Sequence, residues 1–256
     1  MKNSFLLMLT FIYCMGQAQT KIIAHRGFSA VAAENTITAF QKAIDIGADY
    51  FELDVRVSLE GKPVVIHDAT LDKTTSSNSS GKVADMNFRE LLNERVGYPA
   101  KFGNLYSIET LPSLKQALEL AQNKIKVCIE IKVENANEEI YKVITDLEMQ
   151  DEVIIFSFYP SVVKAFRELD ANIQTLFLIT QKNKNTIQTA LDLGVNAIGL
   201  GPLNKISKKY LKKAHHAKLE IWKWTINNPK KMQKLMALPI DGLITNHPDK
   251  AITFRK

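Results

Sequence analysis

The sequence predicts a (β/α)8 barrel with a small insertion after the second strand. Strand-like and helix-like patterns alternate along the chain, and the principal strands number eight. Those eight units fill about 235 residues, the size of such a barrel. An open, doubly wound sheet would carry a glycine-rich phosphate fingerprint at the start of its first helix, and none is present.

The elements follow in order. Residues 21–24 form a short apolar strand that runs into His25-Arg26-Gly27. Residues 35–46 place Ile37, Ala39, Phe40, Ala43 and Ile44 at helical spacing, and Gly47 stops the pattern. Residues 50–57 alternate with strand period, with Phe51, Leu53, Val55 and Val57 on one face and Glu52, Asp54 and Arg56 on the other. A short strand at 62–66 leads into His67-Asp68, and 70–108 is an irregular stretch with one helical piece at 88–93. The alternation then resumes: helix 113–122, strand 126–131, helix 137–148, strand 153–156, helix 159–169 and strand 174–178. It closes with helix 185–193, strand 197–200, helix 207–217, strand 220–225, helix 229–238 and strand 242–244. No linker divides residues 19–256, so they are expected to form a single domain with 70–108 inserted in one βα loop.

Composition sets the outer limits. The 256 residues are 46% hydrophobic and 23% charged, which excludes a disordered or polytopic membrane chain. Two cysteines are too few for a disulfide scaffold or a cysteine-based zinc site. Residues 171–256 carry 15 Lys and Arg against 4 Asp and Glu, whereas the first 170 carry 18 against 23. That asymmetry suits a site holding a cation on one side and an anion on the other. Lys2, the apolar run 4–15 and the small residues Gly16 and Ala18 give the layout of a secretory signal peptide cleaved after Ala18. Export to the periplasm or medium is the expectation. A lipoprotein reading of Cys14 is opposed by Tyr13, which stands where a small residue is required. After cleavage Cys128 remains alone within Val127-Cys128-Ile129, as a buried small hydrophobe.

Active sites of such barrels lie at the C-terminal ends of the strands. Those ends carry His25 and Arg26, Glu52 and Asp54, then His67, then Glu130 and Lys132, and finally Trp224. Glu52 and Asp54 are two residues apart and leave the same face of their strand, and Glu130 points the same way from the neighbouring one. Any one of them alone would suit a salt bridge with Arg26, Arg56 or Lys132. Three converging carboxylates without a thiolate make a hard oxygen site for one divalent cation, Ca²⁺ or Mg²⁺. His25 and His67 are the acid–base candidates, since imidazole gives and takes protons near neutral pH. His215 and His216 lie on the lysine-rich helix and are expected to be solvated. Arg26 and Lys132 supply fixed positive charge for a phosphate. Together these groups describe metal-assisted cleavage of a phosphate ester.

The same residues resemble the motifs of the glycerophosphodiester phosphodiesterase family. The similarity runs in order through I-I-A-H-R-G-F-S-A-V-A-A-E-N-T-I-T-A-F (22–40), G-A-D-Y-F-E-L-D-V-R (47–56) and P-V-V-I-H-D-A-T-L-D-K-T-T (63–75). It continues through I-E-I-K (129–132), W-K-W-T-I-N (222–227) and D-G-L-I-T-N-H-P-D (241–249). Ala33 stands where the family usually has proline, and His247 where it usually has arginine; neither is a catalytic position. The resemblance implies the barrel and its insertion, a catalytic pair in His25 and His67, and a metal held by Glu52, Asp54 and Glu130. It further implies a phosphate bound by Arg26 and Lys132 and a pocket lined by Trp224. The substrate it implies is a small-molecule glycerophosphodiester, cleaved to an alcohol and glycerol phosphate.

Two other readings make different demands. Cleavage of lysophospholipids in the manner of a phospholipase D would need an exposed apolar rim, and a non-catalytic binding homologue would be expected to have lost a histidine or a carboxylate. Lys205, Lys208, Lys209, Lys212, Lys213 and Lys218 lack the interleaved aromatics of a nucleic-acid binder, so no nucleic-acid partner is expected. That basic stretch leaves contact with an anionic membrane surface open.

Overall fold

The computed structural model describes residues 19–75 and 79–255. The leader expected at residues 1–18 lies outside the described residues. The first half of the chain forms β1 (Lys21–Ala24), α1 (Ile37–Asp45), β2 (Tyr50–Val57), β3 (Pro63–Val65), α2 (Phe88–Leu91), α3 (Pro99–Phe102), α4 (Leu114–Ala121) and β4 (Lys126–Ile131). It continues with α5 (Asn137–Asp146), β5 (Val153–Ser157), α6 (Pro160–Leu169), β6 (Gln174–Ile179), α7 (Thr186–Asp192) and β7 (Ala197–Leu200). The last elements are α8 (Lys208–His216), β8 (Glu220–Lys223), α9 (Pro229–Met236), β9 (Gly242–Thr245) and α10 (Pro248–Ile252). The sheet order β1-β9-β8-β7-β6-β5-β4-β2 closes through a β1–β2 pairing, giving the expected barrel of eight parallel strands. β3 is a ninth strand outside the ring, antiparallel to β2. Helices α3 and α10 were not expected; with four and five residues they are too short to display a 3.6-residue period, and each begins at a proline. No helix among the described residues is long and apolar enough to cross a membrane.

Strand alternation sorts the side chains into two shells. Phe51, Leu53 and Val55 of β2 face outward and pack with α1 and α4, where Phe51 stacks on Phe40 at 4.4 Å. Tyr50, Cys128, Ile154, Phe156, Leu176 and Trp222 face inward and fill the barrel's interior. Trp222 is the centre of this layer, edge-on to Tyr50 and Phe156 at ring separations of 5.7 and 5.5 Å. Its indole N–H donates to Glu220 Oε2 at 2.7 Å, and Lys21 Nζ donates to both oxygens of Glu220 at 2.7 and 2.8 Å. The lower end of the barrel is therefore plugged. Cys128, expected to be buried, is in this layer, a free thiol among the described residues.

The excursion after β3 has a small core of its own, in which Leu71, Val83, Leu91, Val96 and Leu111 pack on Val64 and Ile66. That core holds the return strand against the barrel, with the Ile66 N–H donating to the Asp54 carbonyl at 2.9 Å. The antiparallel return thereby carries His67 back alongside the middle of β2, next to Asp54.

Gly242 makes room for the central tryptophan, since a Cβ there would lie 2.4 Å from the Trp222 ring. Gly242→Ala should destabilise the chain by about 1–3 kcal/mol, the usual cost of overpacking, read as a lowered midpoint in denaturant unfolding. An unchanged midpoint would mean that Trp222 is not confined in this way.

Candidate active site

Register alone assembles much of the site. β2 and β4 pair with Asp54 opposite Glu130 and Glu52 opposite Cys128, so three carboxylates meet just above the apolar layer. One oxygen from each of Glu52, Asp54 and Glu130 lies within 4.8 Å of the others, and all three residues are buried. β1 ends beside them. Just past its end Arg26 has φ 55° and Gly27 φ 76°, a left-handed turn that sends the Arg26 N–H to Glu52 Oε2 at 2.8 Å. Gly27 is required twice over, because a Cβ there would lie 2.6 Å from the backbone of Ala39 in α1.

Two cations answer the three carboxylates. Arg26 Nη1 donates to Glu34 Oε1 at 2.8 Å, while its Nε lies 3.1 Å from Asp54 Oδ2. Lys132 Nζ donates to Glu130 Oε1 and lies 3.0 Å from Asp54 Oδ1. The two approaches to Asp54 are charge contacts without hydrogen-bond alignment, which leaves Asp54 Oδ1 and Arg26 Nε buried and unsatisfied. Glu52 Oε1 is likewise buried without a hydrogen-bond partner. Burial lifts Glu52 well above the usual carboxylate range, and Asp54 and Glu130 add to the rise. Burial, with Asp54 beside it, pushes Glu130 up to about 7. Asp54 goes the other way: burial opposes its charge, but Lys132 and Arg26 hold it below the ordinary aspartate value. The cluster therefore carries more negative charge than its own cations offset. Orphaned carboxylate oxygens in a hard-oxygen cage are what a divalent cation fits.

Both histidines are oriented in the same way. His25 Nδ1–H donates to Asn246 Oδ1 at 2.7 Å, and His67 Nδ1–H to Asp68 Oδ1 at 2.5 Å. Each imidazole thus keeps Nε2 for proton exchange; in His25 that atom lies 4.0 Å from Glu52 Oε2. Burial first, and then Arg26, pushes His25 down to about 4, while burial also lowers His67. Arg56 Nε donates to the His67 carbonyl at 2.8 Å and fixes the loop that carries it.

All of the expected residues come together. His25, Arg26, Glu52, His67, Glu130, Lys132 and Trp224 line one cavity of about 210 Å³, and Asp54 is buried behind them. Phe158 completes the wall, edge-on to Trp224 at 5.3 Å. A larger groove of about 670 Å³ runs between α5 and α6, but it holds no histidine and lies outside the barrel mouth. His215 and His216 are both exposed on α8, as expected, and His215 Nε2 also lies 2.9 Å from Asp241 Oδ2.

Four contributors were not singled out from the sequence. Asn35, at φ 59°, donates from Nδ2 to Asp54 Oδ2 at 2.8 Å and accepts from the Asp54 N–H at 3.2 Å. Glu34 holds Arg26, Asp68 holds His67, and Asn246 holds His25. All four sit within the motifs quoted above, next to or near residues that were chosen. Their partners, however, are defined only by folding.

Residues 25–250 match the model of the glycerophosphoryl diester phosphodiesterase family. The chain is 30% identical to the glycerophosphodiester phosphodiesterase of Bacillus altitudinis, over 93% of this chain and 98% of that protein. It is 31% identical to the protein of the same name from Caldanaerobacter subterraneus, over 91% and 97%. Among solved structures, glycerophosphodiester phosphodiesterase from Agrobacterium tumefaciens superposes with a TM-score of 0.82 at 26% identity, covering 91% of this chain and 99% of that one. A phosphodiesterase from Oleispira antarctica, solved with the product sn-glycerol-3-phosphate, shares the fold with a TM-score of 0.82 at 22% identity, covering 92% and 96%. Similarity of this extent means that the chain belongs to the glycerophosphodiester phosphodiesterase family of phosphoric diester hydrolases.

Proposed function

We propose that this chain hydrolyses glycerophosphodiesters to an alcohol and glycerol phosphate, using a divalent cation, Ca²⁺ or Mg²⁺, and a pair of histidines. The observation that carries the reading is a single cavity lined by two histidines, two cationic side chains and the cavity-facing side of an undercompensated carboxylate cluster. Glu52, Asp54 and Glu130 would hold the cation, which when bound neutralises and polarises phosphoryl oxygens. Arg26 and Lys132 face the same space, and the contacts that Arg26 makes to Glu34 and Asp54 leave further N–H donors of its five for phosphate. One histidine takes the proton of the attacking hydroxyl or water through Nε2, and the other returns a proton to the leaving alcohol. Phe158 and Trp224 supply an apolar wall for the glycerol or head-group carbon chain. The leader-like first 18 residues support action outside the cytoplasm.

The metal is tested by incubating the purified chain with glycerophosphocholine and following glycerol phosphate by phosphorus NMR. A chelator should abolish turnover and added Ca²⁺ or Mg²⁺ should restore it. Glu52→Gln keeps the shape and removes the charge, so it should weaken divalent-cation binding in calorimetry without altering the circular dichroism. Full activity of the metal-stripped chain would sink the metal reading.

The histidines are tested one at a time. His25→Ala and His67→Ala should each lower turnover by roughly 10²–10⁴-fold, the range for a positioned proton-transfer group. The double variant should be little worse than the poorer single one, because groups that act as a unit are not additive. A diester with a nitrophenol leaving group should rescue only the variant that lacks the acid. His216→Ala, on the solvated face of α8, is the control. Equal, modest losses in all three single variants would show that His25 and His67 are not the proton carriers.

A further inference from the structure

The large apolar side chains that folding leaves exposed are concentrated on one face. Leu203 is 90% exposed, Ile108 78%, Leu105 71% and Leu59 62%; all four lie on loops at the C-terminal ends of the strands, the face into which the cavity opens. Val31 and Tyr159, also exposed, follow β1 and β5 on that face. Tyr106, between Leu105 and Ile108 in the chain, donates its hydroxyl to the Val31 carbonyl at 2.6 Å and ties that loop to the one after β1. Leu203 stands on another arc of the mouth, in the loop after β7.

Leu203 is presented by a built platform. Asn204 Nδ2 donates to the Thr180 carbonyl at 2.9 Å, and Asn204 Oδ1 accepts from the Lys182 N–H at 2.7 Å, tying the loops after β6 and β7 together. The buried Lys223 donates from below to the carbonyls of Gly201 and Asn204. Lys231, at the start of α9, donates to the Pro202 carbonyl at 2.7 Å. These three adjoining loops, 180–185, 201–207 and 224–228, carry Lys182, Lys184 and Lys205 and contain no Asp or Glu, and Lys230 follows in the first turn of α9. Acidic residues stand on the other arcs of this face, with Glu60 next to Leu59, Glu109 next to Ile108, and Glu134 with Glu138 and Glu139 of α5 after β4, so the positive charge forms an arc rather than a full ring.

We propose that this face docks on the surface of an anionic phospholipid bilayer, with Leu203 dipping into the interface and the lysines around it meeting the lipid phosphates. Aliphatic tips beside lysines on a pinned loop suit a surface that is charged outside and apolar a few ångströms in. A nucleic acid would match the charge, but it would leave Leu203 without a partner. The inference rests on the surface alone and does not depend on the chemistry proposed above. Docked in this way, the cavity would open toward the membrane, where diesters retaining an acyl chain reside.

Flotation of the full chain with vesicles tests it. The chain should float with phosphatidylcholine–phosphatidylglycerol vesicles, fail to float with phosphatidylcholine alone, and release as salt is raised. Lys184→Gln with Lys205→Gln should weaken vesicle binding at least about tenfold, and Leu203→Ser at least about fivefold. Leu191→Ser, on an exposed position of α7, should change nothing, and circular dichroism should show all variants folded. Absence of binding, equal binding to neutral vesicles, or indifference to Leu203→Ser would overturn the proposal. Equal capture of duplex DNA by the parent and Leu203→Ser chains, without vesicle binding, would point to a nucleic acid instead.

Discussion

Three carboxylates buried side by side at the mouth of a barrel are the constraint around which the rest of the site is arranged. Glu52, Asp54 and Glu130 are brought together by strand register, and their mutual repulsion is only partly relieved by Arg26 and Lys132. Each neighbouring feature eases some of that cost. The left-handed turn at Arg26 aims a backbone N–H at Glu52, and Asn35 clamps Asp54 with two hydrogen bonds. The proton affinities of Glu52 and Glu130 rise first because burial strips water from their charges, and then because neighbouring carboxylates repel them. A buried cluster that is not satisfied by its own chain is a liability for folding and an asset for binding a cation or a phosphate through one.

The scaffold separates that liability from its own stability. Beneath the carboxylates the interior is apolar and closed, built on Trp222 and sealed by the Lys21–Glu220 pair. Above them only loops remain, and the loops that matter are fastened individually. Arg56 holds the His67 loop, Asp68 and Asn246 fix the two imidazoles, and Lys223 and Asn204 brace the wall beyond Trp224. Buried polar side chains here position others, and the layer below carries the packing. The basic second half of the chain then has two outlets. Its buried member, Lys223, is consumed in bracing, and Lys182, Lys184 and Lys205 lie in the loops beside Leu203.

By itself the sequence determined the barrel and picked out eight residues that folding gathers at its mouth. Its eight strands are legible because inward and outward positions alternate within each, and because the helices between them are long enough to show their period. Glu52, Asp54 and Glu130 stood out because charges at strand ends that must face a barrel interior have few structural explanations. The tertiary structure decided the rest. α3 and α10 escaped notice because four or five residues carry no period. His215 looked like any lysine-neighbour on a solvated helix, yet packing sets it against Asp241, 26 residues on. Asn35, Asp68 and Asn246 lay within sight, but their work depends on the partners that chain closure brings within 3 Å: Asn246 is 221 residues from His25. Hydrophobic periodicity is a local property of the chain and can be read from it directly. A hydrogen bond that aims an imidazole, or a loop pinned so that one leucine faces outward, is set by where distant strands meet, and only the closed barrel fixes that.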